Sequence, residues 1–415
     1  MANSLKKYVE KIVGGYPATM LGIGPMSPNL ITACFELGRD LDMPLMFIAS
    51  RNQVDSDAVG AGYVNGWDQY RFYADLEKVA ASVNFTGDYF LCRDHGGPWQ
   101  RDEERNNHIP EAQAMELAKQ SYAEDMKAGF DLLHIDPTKD PFVMGKVIDI
   151  EIVLDRTVEL IKFCEDFRVN NGTKEISYEV GTEETNGGLT STETFEYFIK
   201  TLLERLEDAN LPAPVFVVGQ TGTLTRLTEN VGNFDEIQAK KLGDVCKNYG
   251  IGLKEHNGDY LPDNILLKHP GLGITAMNVA PAYGTIETRA YLQLHKVECE
   301  LQEKGLINSC SNFTSVLEKE CVLSHKWKKW MTAEYKDITD DALLANKDLL
   351  HVVCELSGHY NYEKEAVVKE KEVMFKNLSE FGMHPNRYLI NKIKDMIQNE
   401  AECFNMVGLT SQVAE

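Results

Sequence analysis

Tyr89-Phe90-Leu91-Cys92-Arg93-Asp94-His95-Gly96-Gly97-Pro98-Trp99 sets an apolar run directly against an acid, an imidazole and two glycines. The first four residues read as a buried β-strand. An Asp-His pair at a strand end suits a metal site: the imidazole ligates a divalent ion, and the carboxylate moves a proton on whatever that ion polarises. The glycines let backbone approach a ligand without interference from a Cβ atom.

The same unit, an apolar run closing in polar or glycine-rich residues, recurs along the chain. The runs cover 20–25, 44–50, 88–94, 132–137, 176–182, 215–220, 250–256 and 274–281. Segments of helical periodicity lie between them, among them 110–129, 148–169, 192–209 and 234–249. Eight strands alternating with helices predict a parallel sheet closed as a (β/α)8 TIM barrel. A doubly wound open sheet is the competitor, but no G-x-G-x-x-G stands near the first strand. After about residue 288 the strand signal stops, and 289–304, 315–330, 340–356, 362–381 and 388–404 read as helices. The expected organisation is a barrel over 1–288 and a helical region over 289–415. With no low-complexity linker between them, the helical region is expected to pack on the barrel.

Composition narrows the function. The 415 residues carry a net charge of −22, which argues against a general nucleic-acid binder. An anionic substrate needs a local pocket of Arg, Lys, metal or backbone N–H groups set against that field. No apolar stretch reaches the ~18 residues of a membrane span, and the start lacks an apolar signal core. A cytoplasmic, homo-oligomeric protein with no membrane partner is the expectation. The nine cysteines are scattered, without a C-x-x-C, and read as free thiols. Trp327 and Trp330, spaced i, i+3, read as helix packing. No P-loop or kinase signature is present.

Active sites of such barrels sit at the C-terminal ends of the strands. There the chain places Ser50-Arg51-Asn52-Gln53, Asp94-His95-Gly96-Gly97, His134-Ile135-Asp136, Gly181-Thr182-Glu183-Glu184, Gly219-Gln220-Thr221-Gly222-Thr223, Glu255-His256-Asn257-Gly258-Asp259 and Ala280-Pro281. His95, His256 and one of Glu183 or Glu184 make a set of two histidines and one carboxylate with positions left open for water or substrate. Asp94 is the candidate base. His134 shares parity with Asp136, so both can face the barrel interior. The Gly219–Thr223 stretch is a weak candidate for cradling a phosphate. The remaining histidines are assigned no catalytic role.

The order and spacing of several motifs resemble one family. They are Ser50-Arg51-Asn52-Gln53-Val54, Asp94-His95-Gly96-Gly97-Pro98, His134-Ile135-Asp136, Tyr178-Glu179-Val180-Gly181-Thr182-Glu183, Glu255-His256-Asn257-Gly258-Asp259-Tyr260, Val279-Ala280-Pro281-Ala282 and the late His384-Pro385. The chain is similar over nearly its full length to GatZ/KbaZ-type proteins, the larger component associated with class II D-tagatose-1,6-bisphosphate aldolase. It departs from their pattern at Arg93 and Gly96, at Glu184 and the Asn186–Gly188 loop, and after the sixth strand; these departures read as lying at the mouth.

The resemblance implies a TIM barrel and a metal-dependent aldolase or C4 epimerase acting on a ketose phosphate by retro-aldol chemistry. The alternative it implies is a non-catalytic subunit that stabilises a separate aldolase chain. Under the first reading His95, Glu183 and His256 hold a divalent metal, with Zn²⁺ the first expectation and Mn²⁺ or Co²⁺ the alternatives. Asp94 and Glu183 are catalytic. Arg51, Asn52, Gln53, His134, Asp136, Gln220, Thr221, Asp259 and Arg289 contact substrate.

Overall fold

The computed structural model describes residues 4–143, 148–182 and 188–414. Eight parallel strands close into a barrel: β1 (Met20–Ile23), β2 (Leu45–Ser50), β3 (Tyr89–Gly96), β4 (Leu132–Ile135), β5 (Ser177–Gly181), β6 (Phe216–Val218), β7 (Gly252–Glu255) and β8 (Ile274–Val279). Each pairs with its sequence neighbour, and β8 closes the ring on β1 with Met20 opposite Ala276. A small hairpin, Thr225–Arg226 with Glu229–Asn230, hangs from the loop after β6.

Alternation along the strands sorts side chains to two sides. Inward from the lower part of the barrel point Met20, Met46, Phe90, Leu132, Phe216 and Ala276. Leu5, Tyr8, Val9 and Ile12 of the helix Ser4–Val13 join them and cap the N-terminal end of the barrel. Outward residues such as Leu21, Phe47, Leu91, Leu133, Val180 and Leu253 pack against the surrounding helices. The upper interior is polar. There Lys254 on β7 and Glu179 on β5 pair at 2.5 Å, both buried.

The helix Pro281–Glu303 runs unbroken through residue 288, so the barrel and the helical region share one element. Beyond it, Leu317, Cys321, Trp327, Leu343, Val353, Leu356 and Leu378 build a second apolar core. The last long helix, Pro385–Cys403, leaves that core and returns to the barrel, where Ile390, Ile393, Ile397 and Ala401 bury with the helix Pro28–Leu41. Arg387 and Lys394 pair with Glu36 across this contact at 2.7 and 3.1 Å.

Two expectations need correcting. The helix predicted over 315–330 ends at Ser324, because His325 turns left-handed (φ 53°); a short 3₁₀ turn, Lys326–Lys329, follows. Trp327 lies in that turn and Trp330 caps it, so the pair does not stand on an α-helix. Nor are all the cysteines free: Cys299 and Cys310 are bonded, with Cα atoms 5.4 Å apart, within bridging range. The other seven are buried thiols.

Glu400, on the returning helix, is buried and accepts a hydrogen bond from Tyr283 at 2.5 Å. Burial pushes its pKa up to about 8. The folded chain thus keeps a proton, from about pH 4.3 upward, that the unfolded chain releases. Stability should fall as pH rises through that window, because the native state binds more protons. Glu400→Gln should abolish that fall. Denaturation at pH 5 and pH 8 should show the variant gaining on the wild type at pH 8 by up to ~4 kcal/mol; parallel pH profiles would contradict this.

Candidate active site at the barrel mouth

Neighbouring residues on a strand point to opposite sides, yet Asp94 and His95 both line the cavity at the barrel mouth. The cause is local. The register between β3 and β4 shifts between Arg93 and Gly96, and His95 takes φ 43°, a left-handed value that few residues other than glycine adopt. Gly96 is needed next to it: a Cβ there would stand 2.5 Å from the Tyr122 ring and 2.7 Å from the His134 carbonyl oxygen.

Three imidazoles converge beneath the mouth, with one nitrogen of each within 4.8 Å of the others. His95 Nε2 and His256 Nδ1 face one another at 3.1 Å. Each ring is held from behind by a carboxylate: Asp136 Oδ2 lies 2.6 Å from His95 Nδ1, and Glu179 Oε1 lies 2.9 Å from His256 Nε2. His134 Nδ1 accepts the His95 N–H at 3.2 Å, leaving its buried Nε2 without a partner among the described residues. Asp94 accepts from Asn278 Nδ2 at 2.9 Å and stands 4.0 Å from His256 Nδ1.

The electrostatics follow from burial and these carboxylates. Burial opposes a charge on His95, but Asp94 and Asp136 outweigh it and its pKa is raised. Burial wins at His134, whose pKa falls to about 4, so this ring is neutral. Burial also works against the Glu179 carboxylate, yet the Lys254 ammonium and the two histidines beside it hold its pKa well below the usual range.

The cavity measures about 380 Å³. Asp94, His95, Asp136, His256, Asp259 and Asn278 line it, as do Asn52, Gln53 and Thr138. Arg105, Lys139, Arg226 and Lys329 also contribute, giving it cations despite the negative chain. Lys329, Trp330 and Tyr360 belong to the helical region, so both parts of the chain build one site. The Lys329 ammonium stands 5.0 Å from the Trp330 ring centroid and 5.2 Å from that of Tyr360, a cation–π arrangement. His359, set aside with the other histidines, is buried behind this wall with its ring centroid 4.0 Å from that of Tyr360.

The residues expected from sequence divide into groups. Asp94, His95 and His256 meet, and His134 joins the imidazole cluster. Glu183 lies outside the described residues, as do Glu184 and Asn186-Gly187. Asn52 and Gln53 line the cavity. Both Asp136 oxygens are occupied by His95 and Thr138, so its carboxylate holds His95 in place. Asp259 lines the cavity while accepting from the N–H groups of Ala280 and Ala282, and burial raises its pKa to about 6.

Four expected substrate residues stand away from the cavity. Arg51 is buried against Asp55 (3.2 Å), Glu104 (2.8 Å) and the Gly97 carbonyl (3.0 Å). Arg289 is spent on a two-pronged pair with Glu355 at 2.9 and 2.8 Å. Thr221 donates to Glu255, and Gln220 N–H donates to Thr190 Oγ1 at 2.8 Å. The Gly219–Thr223 stretch is thus bonded into the protein itself, and the hairpin that follows it brings Thr225 and Arg226 to the cavity. Glu255 faces the helices, 2.5 Å from His269. Sequence reasoning missed Asn278, Arg105, Lys139, Arg226, Lys329, Trp330 and Tyr360. The Lys-Trp-Lys-Lys-Trp run ending at Trp330 was a signal for two of these, but only the left-handed break at His325 turns it toward the mouth.

The fold and site together define a (β/α)8 barrel with a polar, histidine-rich C-terminal mouth. The chain belongs to the D-tagatose-1,6-bisphosphate aldolase subunit GatZ/KbaZ-like family, whose profile matches residues 5–402. Among solved structures it is similar to a probable tagatose 6 phosphate kinase from Sinorhizobium meliloti 1021, with a TM-score of 0.74 and 18% identity over 93% of this chain and 100% of that one. It also resembles the fructuronate-tagaturonate epimerase UxaE from Cohnella laeviribosi, with a TM-score of 0.51 and 11% identity over 94% of this chain and 81% of that one. The YdjI aldolase from Escherichia coli K12 matches with a TM-score of 0.50 and 11% identity, over 97% and 98% of the two chains. At these identities the likeness shows the fold. No described helix is long and apolar enough to cross a membrane.

One departure from the family pattern has a structural reason. Arg93 does not reach the mouth. Its buried guanidinium pairs with Asp125 at 2.5 and 2.8 Å and donates to the carbonyls of Ala49 and Val54. Removing one partner of a buried ion pair strands the other. Asp125→Ala should therefore lower stability by ~3–5 kcal/mol in chemical denaturation, and a loss under 1 kcal/mol would contradict this role.

Proposed function

We propose that the chain is a metal-dependent aldolase or epimerase that acts on a ketose phosphate by retro-aldol chemistry. The observation that carries this reading is the convergence of three imidazoles beside Asp94, under a cavity that also carries cationic side chains. The donor set fits a divalent ion. His95 and His256 present facing nitrogens, each ring oriented by a carboxylate, and His134 completes a cluster in which one nitrogen of each ring lies within 4.8 Å of the others. His95, His134 and His256 would hold the ion, with Zn²⁺ the first candidate for an all-imidazole set and Mn²⁺ or Co²⁺ the alternatives. Glu183 remains a candidate further ligand from its place after β5.

When bound, the ion would supply Lewis acidity toward the oxygens of the ketose. Asp94 takes the proton from the C4 hydroxyl as the C3–C4 bond breaks, the electron pair passing toward the C2 carbonyl, and returns it on recombination. Asn278 holds Asp94 in position. Asn52 and Gln53 face the sugar hydroxyls. Lys139, Arg226 and Lys329 hold phosphate by charge-assisted hydrogen bonds. Release of the aldehyde gives aldolase activity; its rotation before recombination gives C4 epimerisation. The names of the UxaE and YdjI proteins support both outcomes on this fold.

The accessory-subunit reading is favoured by one observation, the word subunit in the family's description. Turnover by the isolated chain separates the two. On the catalytic reading, purified protein carries about one equivalent of divalent metal and converts a ketose bisphosphate alone. His134→Ala should lose most of the metal with the fold intact. Asp94→Asn should keep the metal and lose ~10²–10⁴-fold in kcat. Metal-free wild-type protein that is inert alone, yet stabilises an aldolase chain, would favour the accessory reading.

A further inference from the structure

A second donor group lies outside the barrel, at the far end of the helix Pro281–Glu303 and in the loop beyond it. His295 and Cys299 stand four residues apart on one face of that helix, and Cys310 approaches from the loop. His295 Nε2 lies 3.6 Å from Cys299 Sγ and 3.5 Å from Cys310 Sγ. Tetrahedral ligation with Zn–S of about 2.3 Å and Zn–N of about 2.0–2.1 Å requires N···S edges of roughly 3.5 Å. The imidazole already stands at those edge distances from both sulfurs.

The surroundings suit ligation. His295 Nδ1 is 2.7 Å from Thr314 Oγ1 and its Nε2 is 3.0 Å from the Ser311 carbonyl. A threonine hydroxyl either donates or accepts. With Thr314 donating, Nε2 carries the proton toward Ser311; with Thr314 accepting, the proton sits on Nδ1 and the Nε2 lone pair is released toward the sulfurs. Glu298 Oε2 lies 3.5 Å from Cys310 Sγ, while its carboxylate is anchored by Ser311 and Asn377. All three donors are partly exposed, so an ion can enter.

We propose that, once the Cys299–Cys310 bond is reduced, His295, Cys299 and Cys310 form a binding site for a soft divalent cation of the zinc class, with water or Glu298 in the fourth position. Opening the bond takes two electrons, supplied by thiol–disulfide exchange: two external thiols become one external disulfide, and the protein gains two thiols. Binding then releases both thiol protons to solvent, because the thiolate is the ligand. The bonded form cannot hold the ion, so this site reports the redox state of the chain.

The test uses the full-length protein, reduced with a phosphine that does not compete for metal, and Co²⁺ as the probe. Thiolate ligation gives a sulfur-to-cobalt charge-transfer band, which imidazole and carboxylate donors at the barrel mouth cannot produce. One equivalent of that band is expected in reduced protein. It should be absent before reduction, lost in Cys310→Ser, retained in His134→Ala, and shifted to at least tenfold weaker binding in His295→Ala. A second measurement needs no variant: Zn²⁺ should slow alkylation of Cys299 and Cys310 at least tenfold, read peptide by peptide by mass spectrometry. No band in reduced wild-type protein, a band surviving in Cys310→Ser, or equal alkylation with and without Zn²⁺ would overturn the proposal.

Discussion

The site at the mouth rests on the buried pair of Lys254 and Glu179. Two charges taken out of water cost several kcal/mol each, and only close pairing with further hydrogen bonds offsets that cost. Glu179 meets the condition by accepting from Lys254 at 2.5 Å while its other oxygen faces His256 at 2.9 Å and His134 at 3.5 Å. The pair thus sets the boundary between the apolar lower interior and the imidazole cluster. Without Lys254, the Glu179 charge would be uncompensated, and the His256 ring would be held by a carboxyl group that burial favours in its neutral form.

The second constraint is the irregularity in β3. A regular strand would send either Asp94 or His95 outward into the helix layer. The left-handed turn of the backbone at His95 brings both to the cavity, and Gly96 gives the room for it. Backbone strain of this kind persists when surrounding structure over-determines it. Here Asp136, Tyr122 and the His134 carbonyl close in around the two residues.

The barrel was legible because its signal repeats: each of the eight apolar runs quoted from the sequence coincides with one barrel strand, and only the third strand runs past its run, to Gly96. His95, His256 and Asp94 were legible for a related reason, since each directly follows or ends such a run. Arg51, Gln220, Thr221 and Arg289 were misplaced because a polar residue after a strand has two destinations, the cavity or an internal ion pair, and local sequence does not distinguish them. The cavity side chains of the helical region were hidden for a different reason. Lys329 and Trp330 reach the mouth only through the break at His325, and Tyr360 lies some eighty residues beyond the last barrel strand. His134 showed its inward parity but not its role, which depends on where two distant rings point.

The closing helix carries a consequence for biogenesis. Pro385–Cys403 covers the outer face of Pro28–Leu41, an element made some 350 positions earlier on the ribosome. Until that later helix has been made, the flank of Pro28–Leu41 that it covers lacks its partner. Domains commonly condense from the N-terminus as synthesis proceeds, and uncovered apolar surface is prone to aggregation. This architecture defers its seal across some 350 residues of synthesis, so the nascent polypeptide meanwhile carries an unsheltered flank that a chaperone can occupy.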